Sequence, residues 1–128
     1  MRYLYSLIAC ISIFTYLSAD YVFTFVNNKD KQGALKIAFL KQIAEIFHVD
    51  TFVETGTYMG QTAANAATIF KAVYTVELHP AIYAQAKNFL SRYTNVNVYH
   101  GNSADVLRTI LPTIDGKIVL WLDAHYCG

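Results

Sequence analysis

The stretch Thr51-Phe-Val-Glu-Thr-Gly-Thr-Tyr-Met-Gly-Gln-Thr62 predicts a strand that turns sharply into a helix. Its first five residues are β-prone, and Gly56 and Gly60 follow four positions apart. Two glycines in such a turn let the backbone bend tightly and approach a ligand closely. A dinucleotide-binding turn would read Gly-x-Gly-x-x-Gly, whereas Tyr58 occupies the place of its central glycine. The turn alone therefore does not identify a ligand.

Strand and helix patterns alternate through the rest of the chain. Three more β-prone runs follow the first strand: Ala72–Glu77, Val96–His100 and Lys117–Asp123. Helical patterns cover Ala34–Phe47, Gln61–Phe70, Pro80–Tyr93 and Ser103–Leu111, with Ser103 as the candidate N-cap of the last one. This alternation predicts an α/β fold, a Rossmann-like doubly wound parallel sheet with four strands and intervening helices. Ligands of such sheets bind beyond the carboxyl ends of the strands.

Polar residues follow the predicted strands at that edge. Glu77 ends the second strand, twenty-three positions after Glu54, and an acidic residue at about this distance can accept both ribose hydroxyls of an adenosine ligand. The alternative is a solvent-exposed carboxylate that caps the helix at Pro80. After the third strand, Asn102 and Ser103 could bond an adenine edge or simply cap a helix.

The fourth predicted strand ends in Asp123, which lies at the edge of the sheet where reacting groups are found in this fold. Asp123 and His125 could together ligate a divalent metal. Two candidate ligands are too few to define a metal site, so no metal is assigned.

Four segments resemble, in order and spacing, successive motifs of class I S-adenosylmethionine-dependent methyltransferases. They are Phe52-Val-Glu-Thr-Gly-Thr-Tyr-Met-Gly60, Val73-Tyr-Thr-Val-Glu-Leu78, Gly101-Asn-Ser-Ala-Asp-Val-Leu107 and Trp121-Leu-Asp-Ala-His-Tyr126. The resemblance is greatest to a bacterial subgroup with a Glu-Thr-Gly-Thr turn and a Leu-Asp-x-His-Tyr sequence at the end of its fourth strand. It implies S-adenosylmethionine as the cofactor and methyl transfer as the reaction.

The resemblance also implies a role for each matching residue. The methionine part of the cofactor would be surrounded by Glu54, Gly56 and Gly60, the ribose held by Glu77, and the adenine bordered by Asn102, Ser103 and Ala104. Thr57 and Leu78 complete the implied cofactor-binding set, and Asp123 would face the methyl group or the substrate as the candidate catalytic residue.

The family's fold has seven strands, so a chain with four predicted strands is expected to be a C-terminally truncated, cofactor-binding half, residues 51–128. The methyl acceptor stays open among small molecules, sugars, lipids and proteins. The fourth strand is then expected to be an unpaired, apolar sheet edge, which favours self-association. Three alternatives remain: an inactive piece that retains adenosine binding, a nicotinamide-binding Rossmann domain, and an exported structural protein.

Residues 1–19 carry no charge after Arg2, and the next charge is Asp20. Such an apolar run predicts a hydrophobic helix that serves as a signal peptide or as a membrane anchor. The chain would then be exported or membrane-associated, and otherwise cytoplasmic. Residues 20–50 are interpreted as a lead-in segment and a helix that covers the cofactor.

Composition excludes several classes of protein. Lys plus Arg number 10 against 9 for Asp plus Glu, and no basic run is interleaved with aromatics, so nucleic-acid binding is not indicated. The two cysteines, Cys10 and Cys127, lie at opposite ends of the sequence, and no Cys/His cluster has the spacing of a structural zinc site.

Overall fold

The computed structural model of the chain describes residues 34–124 and the backbone of the short strand Tyr21–Phe23. The predicted hydrophobic helix over residues 1–19 and the candidate metal ligand His125 lie outside these residues, and both stay predictions. Among the residues that are described, none of the helices has the length and apolar character needed to cross a membrane.

Five strands and four helices alternate along the described chain. In order they are β1 (Tyr21–Phe23), α1 (Ile37–Phe47), β2 (Thr51–Thr55), α2 (Gln61–Ala67), β3 (Ala72–Glu77), α3 (Pro80–Leu90), β4 (Val96–His100), α4 (Ser103–Ile110), a 3-10 turn (Leu111–Thr113) and β5 (Ile118–Leu122). The four predicted strands are β2 to β5, with ends that differ by at most one residue. The alternating α/β architecture predicted from the sequence is confirmed.

The predicted cap of α4 was wrong by one residue. Asn102, not Ser103, is the N-cap, and its side-chain Oδ1 accepts a hydrogen bond of 2.9 Å from the backbone N–H of Ala104. Asparagine is among the preferred N-cap residues because its oxygen satisfies one of the free N–H groups of the first turn.

All five strands are parallel, in the order β1-β5-β2-β3-β4. From β2 the chain steps outward to β3 and then to β4, and it returns over the sheet to place β5 on the other side of β2. The direction of winding therefore reverses between β2 and β5. A reversal of this kind opens a crevice at the carboxyl ends of the two strands, where ligands of doubly wound sheets bind.

The expectation that the fourth predicted strand forms an open edge was wrong. This strand, β5, pairs with β2 on one side and with β1 on the other, where Tyr21 aligns with Ile118 and Phe23 with Leu120. A strand of three residues is too short to produce a recognisable alternation, so it was missed within the lead-in segment. The edges of the described sheet are β1 and β4, and the argument for self-association through β5 no longer applies.

The core lies on both faces of the sheet. On one face, α1, α2 and α3 contribute to a cluster with Phe52, Val73, Val119 and Trp121; on the other, α4 covers Val53, Ile118 and Leu120. Successive residues of β5 thus point into opposite clusters, and a strand that is buried on both faces is apolar throughout. Burial on both faces explains the apolar character of this strand.

Gly56 brings the ends of β2 and β5 into close contact. Its φ is +81°, and a Cβ atom placed there would lie 2.9 Å from Cα and N of Ala124 and from the carbonyl oxygen of Asp123. Because the atoms that it would meet belong to the backbone, no side-chain rotation can relieve the contact. Only glycine fits this position, both for its backbone conformation and for the space available.

Gly116 provides a matched control for this constraint, since its φ is also +81° but nothing lies within 4 Å of a Cβ added there. We expect Gly116→Ala to lower the free energy of unfolding by about 1 kcal/mol, the cost of a left-handed alanine. Gly56→Ala should lower it by about 2–4 kcal/mol, because the backbone contact is added to that cost. Urea denaturation of the two variants measures the difference, and equal losses would contradict the close contact described at Gly56.

Candidate functional site

The carboxyl ends of four strands bring together most of the residues singled out from the sequence. Strand pairing places Thr55 beside Val76 of β3 and beside Leu122 of β5. Glu77 is aligned with His100 of β4, and Gly101 donates its backbone N–H to the Glu77 carbonyl oxygen at 3.0 Å. The sheet therefore gathers the glycine turn, Glu77, the start of α4 and Asp123 along one edge.

The glycine turn is held by the neighbouring strand. The backbone N–H groups of Gly56 and Thr57 both donate to the Val76 carbonyl oxygen, at 2.9 and 3.1 Å, and the N–H of Gly60 donates to the carbonyl oxygen of Thr57 at 2.9 Å. Tyr58 adopts a left-handed conformation with φ +49°. Tyr58 therefore has a left-handed backbone conformation at the position where a dinucleotide-binding turn has its central glycine.

Close packing between α2 and α3 explains why position 60 is a glycine. It precedes α2 with φ +89°, and an added Cβ would lie 3.1 Å from the Leu90 side chain and 3.2 Å from that of Phe89. The missing side chain lets the start of α2 approach α3 closely. This role explains the glycine without reference to a ligand.

Glu77 is buried, with 8 % of its surface exposed, and its carboxylate is fixed by two backbone groups. Oε2 accepts the N–H of Tyr58 at 2.9 Å, and Oε1 accepts the N–H of His79 at 2.9 Å. The alternative of a solvent-exposed cap is wrong in its exposure only, because the buried side chain bonds the glycine turn and also the N–H of His79, the N-cap residue of α3. A carboxylate oxygen can accept more than one hydrogen bond, so this geometry leaves capacity for a ligand.

Glu54 lies beneath the turn, 1 % exposed, at the start of a chain of hydroxyl groups. Thr75 donates its hydroxyl to Glu54 Oε1 at 2.9 Å, and the hydroxyl oxygens of Thr57 and Thr75 are 2.6 Å apart. These two contacts link Thr57 through Thr75 to Glu54. The Thr57 side chain is thus turned inward to the core.

Burial raises the pKa of Glu54 to about 8. The hydrogen bond from Thr75 acts in the opposite direction, and the negative charges of Asp123 and Glu77 raise the pKa further. A carboxyl group in these surroundings keeps its proton at neutral pH, because ionisation would place a charge in a medium that solvates it poorly. Strongly shifted groups of this kind are concentrated at functional sites.

The predicted adenine-binding residues begin α4, beside the end of β3. Asn102 and Ala104 are exposed and Ser103 is half-buried. Next to them, His100 Nε2 lies 3.1 Å from the Leu78 carbonyl oxygen. Leu78 itself is 59 % exposed, so an apolar side chain stands open to solvent directly after Glu77.

Asp123 follows β5 and is half-buried. Its backbone N–H donates to the Thr55 carbonyl oxygen at 3.1 Å, which fixes the residue against the end of β2. No group of three or more His, Cys, Asp or Glu side chains with the geometry of a metal site occurs within residues 34–124.

Two contributors to the site were missed in the sequence. Thr75 is a buried polar residue within an apolar strand, and a polar residue at such a position could have been recognised in the sequence. Tyr58 contributes its backbone N–H to Glu77, a bond that depends on the left-handed conformation and has no signature in residue type.

The raised pKa of Glu54 makes stability depend on pH. The folded chain retains this proton between pH 4.5 and about 8, while the unfolded chain has released it. The contribution of Glu54 to the free energy of unfolding is therefore greatest below pH 4.5 and falls as the pH rises to about 8. In the variant Glu54→Gln the side-chain amide can accept the same hydrogen bond from Thr75, and it does not ionise. We expect its stability advantage over the unchanged protein to grow by up to about 1.4 kcal/mol per pH unit in this window and then to level off.

Urea denaturation of both proteins at unit intervals from pH 5 to pH 9 measures this difference. Glu45→Gln, on the exposed surface of α1, is the control that should track the unchanged protein. A pH-independent difference between the Glu54 variant and the unchanged protein would rule out a neutral buried carboxyl group.

Several solved structures with a similar fold are methyltransferases. The O-methyltransferase TomG of Streptomyces achromogenes, in complex with S-adenosylmethionine, aligns with a TM-score of 0.60 and 20 % identity over 69 % of this chain and 43 % of its own. The O-methyltransferase of Bacillus cereus, in complex with S-adenosylhomocysteine, gives 0.59 and 22 % over the same shares. The methyltransferase PaMTH1 of Podospora anserina gives 0.53 and 19 % over 69 % and 39 %.

Among curated proteins, protein-L-isoaspartate O-methyltransferase 1 of Polaromonas sp. is 34 % identical over 68 residues, which is 52 % of this chain and 29 % of the relative. No family model matches the sequence. The chain thus corresponds to less than half the length of each of these relatives. Together with the sheet order and the switch point, the structural likenesses show that it has the Rossmann-like α/β fold of these methyltransferases.

Proposed function

We propose that the chain binds S-adenosylmethionine at the carboxyl ends of β2, β3 and β5, and that it supplies the cofactor-binding half of a methyltransferase. The proposal depends on one observation. The Glu77 carboxylate lies at the carboxyl end of β3, where the N–H groups of Tyr58 and His79 hold it in place. The two carboxylate oxygens of Glu77 are thereby oriented in advance as hydrogen-bond acceptors. Glu77 follows the glycine turn by about twenty positions in the sequence, the spacing at which an acidic residue binds the hydroxyl groups of a ribose.

The surroundings of Glu77 suit the rest of an adenosine ligand. Tyr58 and Leu78 are 65 % and 59 % exposed, and they flank this carboxylate in the glycine turn and at the end of β3. Exposed apolar side chains beside a fixed polar group are the usual lining of a nucleoside site. In the proposed complex Leu78 packs against the adenine, and the start of α4 at Asn102 borders its edge.

Charge supports a cationic cofactor. Two carboxylates, Glu77 and Asp123, lie near the protonated Glu54, since the charges of both raise its pKa. S-adenosylmethionine carries a sulfonium that makes its methyl group transferable to a nucleophile. In the proposal Asp123, at the end of β5, lies on the side from which an acceptor would approach, and the chain contributes chiefly by holding the donor in position.

The test is a calorimetric titration of the full chain with S-adenosylmethionine and with S-adenosylhomocysteine. Glu77→Gln removes the charge from the hydrogen bonds to the ribose. Hydrogen bonds to charged groups contribute about 1.5–3 kcal/mol, so we expect binding to weaken roughly 10- to 100-fold.

Glu45→Gln is the matched control, since this exposed glutamate lies on α1, away from the candidate site, and pairs with Lys41 among the described residues. It should bind as the unchanged protein does. A folded chain that binds neither ligand, or that binds them equally well without the Glu77 charge, would refute the proposed site.

A nicotinamide dinucleotide is titrated in parallel. Dehydrogenases share this fold and also have an acidic residue at the place that Glu77 occupies at the end of β3. The glycine turn lacks the Gly-x-Gly-x-x-Gly pattern, with Tyr58 at its centre, so we expect no saturable binding. Preferential binding of that dinucleotide would replace the methyltransferase proposal by the alternative one.

A further inference from the structure

One peptide group at the candidate site is held on both sides by side chains. It joins Leu78 to His79, directly after β3. Its N–H donates to Glu77 Oε1 at 2.9 Å, and its carbonyl oxygen lies 3.1 Å from Nε2 of His100. A carbonyl oxygen can only accept a hydrogen bond, so the imidazole donates and carries a proton on Nε2. Glu77 and His100 therefore fix the plane of this peptide together.

Proline restricts the chain on the far side of this peptide. His79 precedes Pro80 and has an extended backbone conformation, with φ −82° and ψ 121°. A residue before proline is held in this region by contact with the proline ring. The His79 carbonyl oxygen accepts the N–H of Tyr83, in the first turn of α3, at 2.8 Å. Between β3 and α3, the Leu78–His79 peptide is thus the unit whose orientation depends on its side-chain partners.

The imidazole of His100 is itself held in position. His100 ends β4 in register with Glu77, so its side chain starts beside the peptide that it contacts. Its ring stacks on the ring of Tyr83, with the centroids 5.0 Å apart and the planes at 28°. The Tyr83 hydroxyl accepts a hydrogen bond of 3.0 Å from Nζ of Lys87. Because the stacked ring limits rotation of the imidazole, Nε2 stays directed at the Leu78 carbonyl oxygen.

We propose that His100 is a positioning residue for the candidate cofactor site and acts on the Glu77 carboxylate through the Leu78–His79 peptide. A donor on the carbonyl oxygen polarises the peptide and strengthens its N–H as a donor to Glu77, because linked hydrogen bonds reinforce one another. The same bond fixes the direction in which the exposed Leu78 side chain leaves the backbone. The effect on ligand binding rests on the proposed function, whereas the hold on the peptide is measurable without a ligand.

Two substitutions separate the hydrogen bond from the stacking contact. In His100→Gln the side-chain amide can donate to the Leu78 carbonyl oxygen from the place of Nε2, but the aromatic ring is lost. In His100→Phe the ring is kept and the donor is lost. Asn97→Leu is the matched control: Asn97 also lies on β4 and donates its side-chain amide to a β3 carbonyl oxygen, that of Val73 at 3.3 Å, but it lies near the start of the strand, away from the site.

The first readout is amide hydrogen exchange of His79, measured by NMR in the full chain without ligand, after circular dichroism has checked that each variant is folded. We expect His100→Phe to raise the exchange rate roughly three- to tenfold, the factor that corresponds to one hydrogen bond. His100→Gln and Asn97→Leu should leave the rate within about twofold of the unchanged protein. Equal acceleration in both His100 variants, or no acceleration in His100→Phe, would overturn the proposal.

The second readout is calorimetric titration with S-adenosylhomocysteine and with methylthioadenosine, which lacks the amino-acid part. We expect His100→Phe to weaken both ligands by the same factor, about three- to tenfold, because both carry the adenosine that Glu77 and Leu78 would hold. A loss confined to S-adenosylhomocysteine, or an unchanged affinity for both, would also overturn the proposal. If the unchanged protein binds neither ligand while His79 exchange responds as expected, the proposed function is refuted and the hold of His100 on the peptide is supported.

Discussion

The close approach of Gly56 to the backbone of Asp123 and Ala124 is the contact on which the geometry of the site depends. It lets the ends of β2 and β5 meet, so that Thr55 can receive the Asp123 N–H at 3.1 Å. The same turn carries the N–H of Tyr58 to the Glu77 carboxylate. A side chain at position 56 would separate the strand ends and would displace these hydrogen-bonding groups together.

A second constraint lies directly below that contact. Glu54 is buried among apolar strands and near two other carboxyl groups, and its hydrogen-bond partner is a neutral hydroxyl. Keeping the proton is the least costly state for such a group, yet at neutral pH it still lowers stability relative to a side chain that cannot ionise, because the unfolded chain releases the proton. Groups that violate the ordinary rules of burial are expected where function requires them, which is why Glu54 and Glu77 belong to the same proposed site.

Sequence patterns predicted what is encoded locally. β2 to β5 are apolar runs bounded by turn residues, and Glu77 could be found by its spacing from the glycine turn. β1 could not, because Tyr21–Phe23 becomes a strand only through pairing with Ile118–Leu120, almost a hundred residues later. The hydroxyl chain from Thr57 through Thr75 to Glu54 likewise requires the register of two paired strands, which no single segment contains.

The position of β5 determines the order in which the sheet can be completed. This strand lies between β1 and β2, but it is the last element of the described chain to leave the ribosome. Until it emerges, β1 has no paired strand among the described elements, and the backbone groups along one edge of β2 remain unpaired. Contacts between residues so distant in sequence slow folding and prolong the lifetime of exposed strand edges. During synthesis the described strands are therefore most prone to aggregation just before β5 appears.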